Sequence, residues 1–235
     1  MKILVTGSSG TVGSAFISHA EAHNHELLTP RRSDLNLLHY ESVLTYLEQF
    51  RPQAIVHCAG LVGGIQKNIE EPHAFLNENL QMGFNLVNAA QEVKIFKLLN
   101  LSSSCVYPND RDVPLKESDI LTGPLEPTNQ AYALAKLCVQ QLCTYIRQAE
   151  PLLNYKTLIP CNIYGPVDDF SPTHSHLVPA AMRKVHHAVM TGRSVVEIWG
   201  DGTARREFMF SEDLADAMWF CLDRLHLLPD FSFRS

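Results

Sequence analysis

The chain has 235 residues, of which 46% are hydrophobic and 19% are charged, and its formal net charge is −6 at pH 7. This composition supplies enough apolar side chains for a packed core and excludes an intrinsically disordered chain. The 19 basic residues are outnumbered by 25 acidic ones and form no long run, so we do not expect a nucleic-acid-binding protein held by phosphate contacts.

The first half of the chain alternates short apolar runs with longer helical patterns. Runs rich in leucine and β-branched residues predict buried strands over residues 3–6, 26–29, 54–57 and 97–102. Apolar residues at helical spacing predict helices over residues 12–21, 41–50 and 68–93. Strands and helices that alternate with short connectors predict an α/β fold, a doubly wound parallel sheet of the Rossmann type with helices on both faces.

The second half continues this pattern and then changes. A proline-rich loop over residues 108–127 precedes a predicted helix at 130–148 and a predicted strand at 156–160. Beyond residue 166 the sequence predicts a helix at 178–190, strands at 195–199 and 207–210, and a helix capped by Ser211. We therefore expect a Rossmann domain over residues 1–165 and a smaller, partial α/β substrate-binding lobe over residues 166–235.

Three features of the sequence bear on the cellular environment. The chain begins Met1-Lys2-Ile3-Leu4-Val5 and runs directly into glycines, which is not the pattern of a signal peptide. The longest uncharged apolar stretch, residues 54–65, is much shorter than the ~20 residues that a membrane-spanning helix needs. Six cysteines without a Cys-x-x-Cys pair fit reduced thiols, so we expect a cytoplasmic protein that does not span a membrane.

A glycine-rich loop follows the first predicted strand and opens the first predicted helix. Gly7 would allow a tight turn, Gly10 would let backbone amides approach a pyrophosphate, and Gly13 would let the helix pack on the strand. This arrangement predicts a dinucleotide site, and the alternative is a purely structural turn. The candidate residues are Gly7, Ser8, Ser9, Gly10, Thr11, Val12 and Gly13.

The end of the second predicted strand indicates which dinucleotide binds. An NAD site places a carboxylate there for the ribose 2′-hydroxyl, whereas an NADP site places cationic groups there for the 2′-phosphate. Here the strand ends in Arg31 and Arg32, and Asp34 follows slightly later. We predict NADP (NADPH), with Arg32 on the phosphate and Arg31 as a second candidate, the alternative being that both arginines are solvated surface charges.

A Tyr-x-x-x-Lys motif begins the helix predicted over residues 130–148. Tyr132 and Lys136 are four residues apart, so their side chains share one helix face, and the ammonium group would favour the phenolate during proton transfer. Upstream, the fourth predicted strand ends in Ser102-Ser103-Ser104-Cys105. Because strand residues alternate between faces, we expect the side chains of Ser103 and Cys105 to point the same way.

The order of glycine loop, strand-end serine and Tyr-x-x-x-Lys resembles the extended short-chain dehydrogenase/reductase superfamily. The chain is more closely similar to the GDP-L-fucose synthase branch of that superfamily, in which Ser-Ser-Cys and Ser-His-x-x-Pro segments are specific. The segments that carry the similarity are residues 62–65, 103–108, 126–129, 162–166, 175–179 and 199–208.

This resemblance implies two linked reactions on one substrate, GDP-4-keto-6-deoxy-D-mannose. Epimerisation at C3 and C5 would use Cys105 as base and His176 as acid. Reduction of the C4 ketone by NADPH would use Tyr132 as proton donor, with Lys136 assisting it and Ser103 holding the carbonyl. From position alone, Cys105 could instead be a core thiol, and His176 a surface residue or, with His174, a metal ligand. A third ligand at suitable spacing is missing from the sequence, so we expect no metal.

The resemblance also implies the remaining ligand contacts. Lys184 and Arg206 would neutralise the GDP diphosphate, and Trp199 would pack on the sugar or base unless it is a core aromatic residue. Asn162 would contact both cofactor and substrate. The other implied cofactor contacts are Asn36, Leu37, Leu101, Ser102, Ser103, Ser104, Lys136, Pro160, Ile163 and His176.

Relatives of this type continue past the predicted Ser211 helix, whereas this sequence ends at Ser235. The chain is either a fragment or a natural truncation, and we expect cofactor binding to survive more readily than turnover.

The predicted helices at 68–93 and 130–148 are apolar on more than one face, which predicts a homodimer. Two alternatives remain open: a reductase for another GDP-4-keto-deoxysugar, as in GDP-colitose synthesis, and a non-catalytic NADP-binding protein.

Overall fold

A computed structural model describes residues 1–111, 114–172, 175–198 and 200–228 of the chain. Its strands are β1 (Lys2–Thr6), β2 (Glu26–Leu28), β3 (Ala54–His57), β4 (Lys97–Leu101), β5 (Asn154–Leu158), β6 (Asn162–Tyr164) and β7 (Phe208–Phe210). Its helices are α1 (Thr11–Ser18), α2 (Tyr40–Phe50), α3 (Ile65–Glu70), α4 (Pro72–Glu92), α5 (Gln130–Ala149), α6 (Leu177–Met190) and α7 (Ser211–Asp223). None of the described helices is both long and apolar enough to cross a membrane.

Five parallel strands form the main sheet in the order β2-β1-β3-β4-β5. The strand order reverses between β1 and β3, since the chain runs outward from β1 to β2 and then returns to the other side. In doubly wound sheets, ligands bind in the crevice at the carboxyl ends of the strands where this reversal occurs. The doubly wound parallel sheet predicted from the sequence is confirmed.

Helices cover both faces of the sheet because its strands are apolar on both faces. Along β1, Leu4 packs with α2, α4 and α5, whereas Ile3 and Val5 pack with α1 and α7. All three side chains are fully buried. Burial on both faces explains why the strand sequences are continuous apolar runs rather than alternating ones.

A second, two-stranded parallel sheet lies after the main one. In it β6 pairs with β7, and α7 begins immediately after β7 and packs back against α1. The chain approaches itself closely at this junction, because a Cβ at Gly165 would lie 2.2 Å from the hydroxyl oxygen of Ser211. The division of the chain at residue 165 stays a prediction.

Several predicted boundaries differ from the structure. The helix predicted over residues 68–93 is two helices, because Glu71 leaves helical geometry and Pro72, which lacks an N–H donor, begins α4. The predicted strand at 97–102 ends at Leu101, and residues Ser104–Val106 form a 3₁₀ turn. The strand predicted over 195–199 is wrong for residues 195–198, which are irregular, and residue 199 lies outside the described residues. Strand β6 was not predicted.

Candidate functional site

A cavity of about 760 Å³ opens at the carboxyl edge of β1, β3 and β4. We call it the central cavity. The glycine loop after β1, the loop after β3, the end of β4 and the start of α5 all contribute to its wall. Its position agrees with the ligand edge expected for this sheet topology.

The glycine loop has the geometry that a pyrophosphate site requires. Gly7 has a φ of +68°, and a Cβ there would lie 2.6 Å from the backbone nitrogen of Ala59. A Cβ at Gly13 would lie 2.1 Å from the carbonyl oxygen of Gly7, so the third glycine lets α1 pack against the turn. Gly10 caps α1 without a side-chain hydrogen bond, which leaves first-turn amides available to an anion. All seven predicted loop residues line the central cavity.

Two arginines mark the far end of the cavity. Arg31 and Arg32 line it, and neither has a carboxylate within ion-pairing distance among the residues that the structure describes. Asp34 is engaged elsewhere, because it accepts hydrogen bonds from the backbone N–H of Arg31 and the hydroxyl of Ser33, both at 3.1 Å. Cations without a competing carboxylate fit the 2′-phosphate of NADP better than the free 2′-hydroxyl of NAD.

Asn36 and Leu37 lie beside these arginines on the cavity wall. The side chain of Asn36 folds into its own turn, where its Oδ1 accepts a hydrogen bond from the backbone of Leu38 at 3.1 Å. The carbonyl of Leu37 accepts a hydrogen bond from Asn85 of α4 at 2.9 Å. This part of the wall is therefore positioned by its own hydrogen bonds and by α4.

Tyr132 and Lys136 occupy the first turns of α5 and line the cavity together. The ammonium of Lys136 lies 5.7 Å from the centre of the Tyr132 ring and donates a hydrogen bond to the carbonyl of Leu101 at 3.0 Å. The ring of Phe75 meets Tyr132 edge-on, with centroids 6.2 Å apart. Burial lowers the pKa of Lys136 and raises the pKa of Tyr132, so the phenol is a neutral proton donor.

Ser103 and Cys105 come together for a reason other than the one predicted from strand alternation. That argument was wrong, because β4 ends at Leu101 and Cys105 lies in the following 3₁₀ turn. The turn nevertheless brings the two side chains into a hydrogen bond. Burial raises the pKa of the Cys105 thiol, and the Ser103 hydrogen bond and the charge of Lys136 oppose that rise. A negative Cys105 would in turn raise the pKa of Tyr132, which reflects how close the two groups lie.

The remaining predicted residues divide between cavity and surface. Of the described ones, those on the cavity wall are Leu101, Ser102, Ser103, Pro160, Asn162, Ile163 and His176. His176 is exposed and precedes α6, and Asn162 donates from Nδ2 to the carbonyl of Glu207 at 2.9 Å. Ser104 and Cys105 are not among the residues that line the cavity, although they follow Ser103 directly.

Lys184 and Arg206, which were predicted to bind the GDP diphosphate, are not among the residues that line the cavity. Lys184 donates to the carbonyl of Glu197 at 3.0 Å, and Arg206 donates to the carbonyl of Arg205 at 2.7 Å. Trp199 and His174 fall outside the described residues. Within the part of the chain that the structure describes, no three His, Cys, Asp or Glu side chains are grouped as a metal site.

Sequence reasoning missed the polar residues that hold the loop after β3. His57 ends β3 and its Nδ1 lies 2.8 Å from the hydroxyl of Thr6, which ties the ends of β1 and β3 together. Burial, and to a smaller extent the charge of Lys136, lowers the pKa of His57 to about 3, so the ring is neutral. Asn79 of α4 bonds both the N–H and the C=O of Leu61, at 2.8 and 3.0 Å. A polar residue ending a buried apolar run was the available signal for His57.

Comparison with known proteins places these features in a family. The sequence matches the NAD dependent epimerase/dehydratase family over residues 3–229. It is 49% identical over 229 residues to a GDP-L-colitose synthase of Yersinia pseudotuberculosis, covering 97% of this chain and 74% of that protein. It is 46% identical over 228 residues to a GDP-L-fucose synthase of Azorhizobium caulinodans, covering 97% and 73%.

Solved structures give the same grouping. A GDP-L-fucose synthetase from Naegleria fowleri bound to NADP superposes with a TM-score of 0.82 at 27% identity, covering 94% of this chain and 72% of that one. A GDP-D-glycero-L-gluco-heptose synthase from Campylobacter jejuni, in the presence of NADPH, gives 0.85 at 25% identity, covering 95% and 74%. On the family match and these relatives, the chain belongs to the NAD dependent epimerase/dehydratase family.

Proposed function

We propose that the chain is an NADPH-dependent enzyme that converts GDP-4-keto-6-deoxy-D-mannose to GDP-L-fucose by epimerisation at C3 and C5 and reduction of the C4 ketone. One observation carries the proposal. The central cavity is lined by the glycine loop together with Tyr132, Lys136, Ser103 and His176. Cys105 is hydrogen-bonded to Ser103. The names of the relatives, a GDP-L-fucose synthase among them, support the substrate class.

The residues of the central cavity fit NADPH, which supplies a hydride to the ketone carbon when bound. The amides of the glycine loop would hold the pyrophosphate, and Arg32 with Arg31 would hold the 2′-phosphate. The backbone of residues 101–104 and 160–163 would run along the cofactor, with Asn36, Leu37 and His176 completing the contacts. Two observations support this assignment: the arginines have no carboxylate within ion-pairing distance among the described residues, and Gly7 and Gly13 have no room for a Cβ.

Tyr132 would donate the proton that the ketone oxygen needs as C4 is reduced. Its raised pKa keeps the phenol protonated until the oxygen gains charge. Lys136, fixed by the carbonyl of Leu101, would stabilise the phenolate that forms and bind the cofactor ribose. The hydroxyl of Ser103 would hold the carbonyl oxygen beside Tyr132.

Cys105 and His176 would carry out the epimerisations. The C4 ketone acidifies the hydrogens at C3 and C5, so a base removes a proton from one face and an acid returns one to the other. Cys105 would be the base: burial raises the pKa of its thiol, and the Ser103 hydrogen bond and the charge of Lys136 oppose that rise. His176 would be the acid, since imidazole exchanges protons near neutral pH.

The GDP moiety would bind toward α6. We propose that Lys184 and Arg206 neutralise the diphosphate and that Trp199 and Asn162 contact the sugar nucleotide. Both side chains are cationic, and a phosphate is a stronger acceptor than the backbone carbonyls of Glu197 and Arg205 to which they donate.

A homodimer through α4 and α5 is part of the proposal. Leu134 and Tyr145 of α5 are 37% and 58% exposed, and Cys138 on the same helix face is also exposed. Such an apolar stripe would be buried by a second copy. We also propose a cytoplasmic location, which the six free cysteines support.

The test is direct assay of the chain with GDP-4-keto-6-deoxy-D-mannose and NADPH, with the product identified by NMR. Oxidation of NADPH with formation of GDP-L-fucose is the expected result. NADPH and GDP titrated separately distinguish a non-catalytic protein, which would bind the first and neither bind the second nor turn over.

A second candidate function is reduction of another GDP-4-keto-deoxysugar. The 49% identity to the GDP-L-colitose synthase of Yersinia pseudotuberculosis favours testing it. The two functions separate on deuterium uptake from heavy water without NADPH, because the proposed enzyme exchanges hydrogen at both C3 and C5. A reductase with partial or no epimerisation would bind the sugar nucleotide and exchange hydrogen at one of these positions or at neither.

A further inference from the structure

The segment Val62-Gly63-Gly64-Ile65 carries part of the family resemblance but has no role in the chemistry above. In the structure it is held by Asn68 of α3, whose Nδ2 donates to the carbonyls of Gly63 and Gly64 at 2.9 and 3.1 Å. Two carbonyl acceptors require the NH₂ end of the amide to face them. The orientation of Asn68 is therefore set, and its Oδ1 faces away from the glycine pair.

This oxygen lacks a donor. Asn68 is only 7% exposed, and among the described residues its Oδ1 has no hydrogen-bond partner. The amide of Asn79, which serves the same loop, is fully used, since its Oδ1 accepts from the backbone of Leu61. A buried acceptor without a donor is unfavourable, and in native proteins such groups are usually paired. Asn68 is thus able to accept a hydrogen bond from a donor that the described residues do not supply.

Asn68 belongs to the side of the central cavity on which Tyr132 lies. Asn68 lines that cavity together with Tyr132. A Cβ at Gly63 would lie 3.4 Å from the ring of Phe75, and Phe75 meets the ring of Tyr132 edge-on. Helix α3 also packs against the turn Pro127–Asn129, which leads into α5. The loop and Asn68 are therefore on the side of the proton donor and not beside the arginines.

The loop also forms an outer edge of the cavity. Val62, which lines the cavity, and Ile65 are 55% and 65% exposed, so the loop faces solvent on its outer side. The Oδ1 atom itself is shielded from solvent, and Gly63 and Gly64, which lack side chains, let the loop shift to admit a small donor. A hydroxyl on the sugar carbon next to the ketone would lie within a few bonds of the Tyr132 phenol.

We propose that Asn68 is a specificity-determining residue whose Oδ1 accepts a hydrogen bond from a ring hydroxyl of the 4-keto hexose. The inference rests on the proposed function and deepens it. An amide oxygen accepts a hydrogen bond from a hydroxyl, whereas a hydrogen atom in place of that hydroxyl donates none. Asn68 would therefore favour sugars that keep this hydroxyl over their deoxy counterparts.

The experiment compares the wild-type chain with Asn68→Ala on three substrates: the parent GDP-4-keto-6-deoxy-D-mannose and its 2-deoxy and 3-deoxy analogues. For wild type, we expect kcat/KM to fall about tenfold on one analogue, the usual effect of one buried hydrogen bond. For Asn68→Ala, we expect the same fall on the parent and no further fall on that analogue. The KM of NADPH should stay within about twofold, because the dinucleotide contacts remain.

Two further variants serve as controls for this experiment. Asn77→Ala removes an asparagine of α4 that bonds only Gln81 among the described residues and is outside the cavity wall, so the hydroxyl preference should be unchanged. Asn68→Ser provides a smaller perturbation if Asn68→Ala fails to bind NADPH. Its hydroxyl preference should fall in the same direction.

Each other outcome overturns the inference. Equal hydroxyl preference in wild type and the Asn68 variants would leave Asn68 a loop-holding residue. A raised KM for NADPH with unchanged hydroxyl preference would assign the oxygen to the nicotinamide carboxamide. A wild-type chain that binds NADPH but does not convert the parent sugar would overturn the proposed function, and this inference with it.

Discussion

Replacing Cys105 by serine should separate the two reactions that the cavity is proposed to catalyse. The hydroxyl of serine is close in size to the thiol and can keep the hydrogen bond with Ser103. It is a far weaker acid, so it supplies almost no anionic base at neutral pH. The substitution therefore changes base strength while leaving the surrounding structure in place.

The size of the effect follows from what a general base contributes. Such a group typically accelerates proton transfer about 10²–10⁴-fold, which corresponds to about 3–5 kcal/mol of transition-state stabilisation. Hydrogen exchange at C3 and C5 should fall by that factor in Cys105→Ser. NADPH binding should not change, because Cys105 is not one of the proposed cofactor contacts and Lys136 keeps its bond to Leu101.

The assay is deuterium uptake at C3 and C5 from heavy water, followed by NMR without NADPH. Cys221→Ser is the matched control, because that cysteine is on α7 and is not among the residues that line the cavity. Exchange in Cys105→Ser within tenfold of wild type would refute the reasoning, and so would loss of exchange accompanied by loss of NADPH binding.

Four further predictions follow from the structure. Arg32→Ala should raise the Kd of NADPH about 10- to 100-fold and leave that of NADH within twofold, as fluorescence titration would measure, since charged hydrogen bonds to a phosphate contribute about 1.5–3 kcal/mol. C3 and C5 exchange should increase with pH through the ordinary thiol pKa of 9.0 and beyond, because burial raises the pKa of Cys105 and only the thiolate is a base; a rate independent of pH from 6 to 10 would count against Cys105. Gly83→Ala should lower the free energy of unfolding by about 1–3 kcal/mol in a denaturant titration, since its Cβ would lie 2.3 Å from Val139; no change would mean that α4 and α5 can separate freely. Tyr145→Asp should shift the chain from dimer to monomer in analytical ultracentrifugation, and a wild-type monomer at micromolar concentration would contradict the proposed interface.

The parts of the fold that follow from local sequence were predictable. The strand predicted over residues 54–57 matches β3, because a short apolar run between polar turns is typical of a strand buried on both faces of a parallel sheet. The glycine loop and the spacing of Tyr132 and Lys136 are local as well. Strand β6 was not predictable, because three residues acquire strand geometry only through pairing with β7, some 45 positions later.

The site shows the same division between local and distant causes. Motif residues could be named from the sequence, yet the meeting of Ser103 and Cys105 depends on a 3₁₀ turn that strand periodicity does not predict. Asn68 and Asn79 could not be assigned, since their partners are backbone groups of the loop after β3. Helical periodicity also continued across Glu71 and Pro72, although the backbone bends there.

The most direct test of the central claim is the isotopic pattern of product formed in heavy water with unlabelled NADPH. If Cys105, His176 and Tyr132 all act on the same bound sugar, the product is GDP-L-fucose. It then carries deuterium at C3 and C5 and protium at C4. A chain that binds NADPH yet returns a reduced sugar with protium at C3 and C5, or that oxidises no NADPH, would contradict the claim.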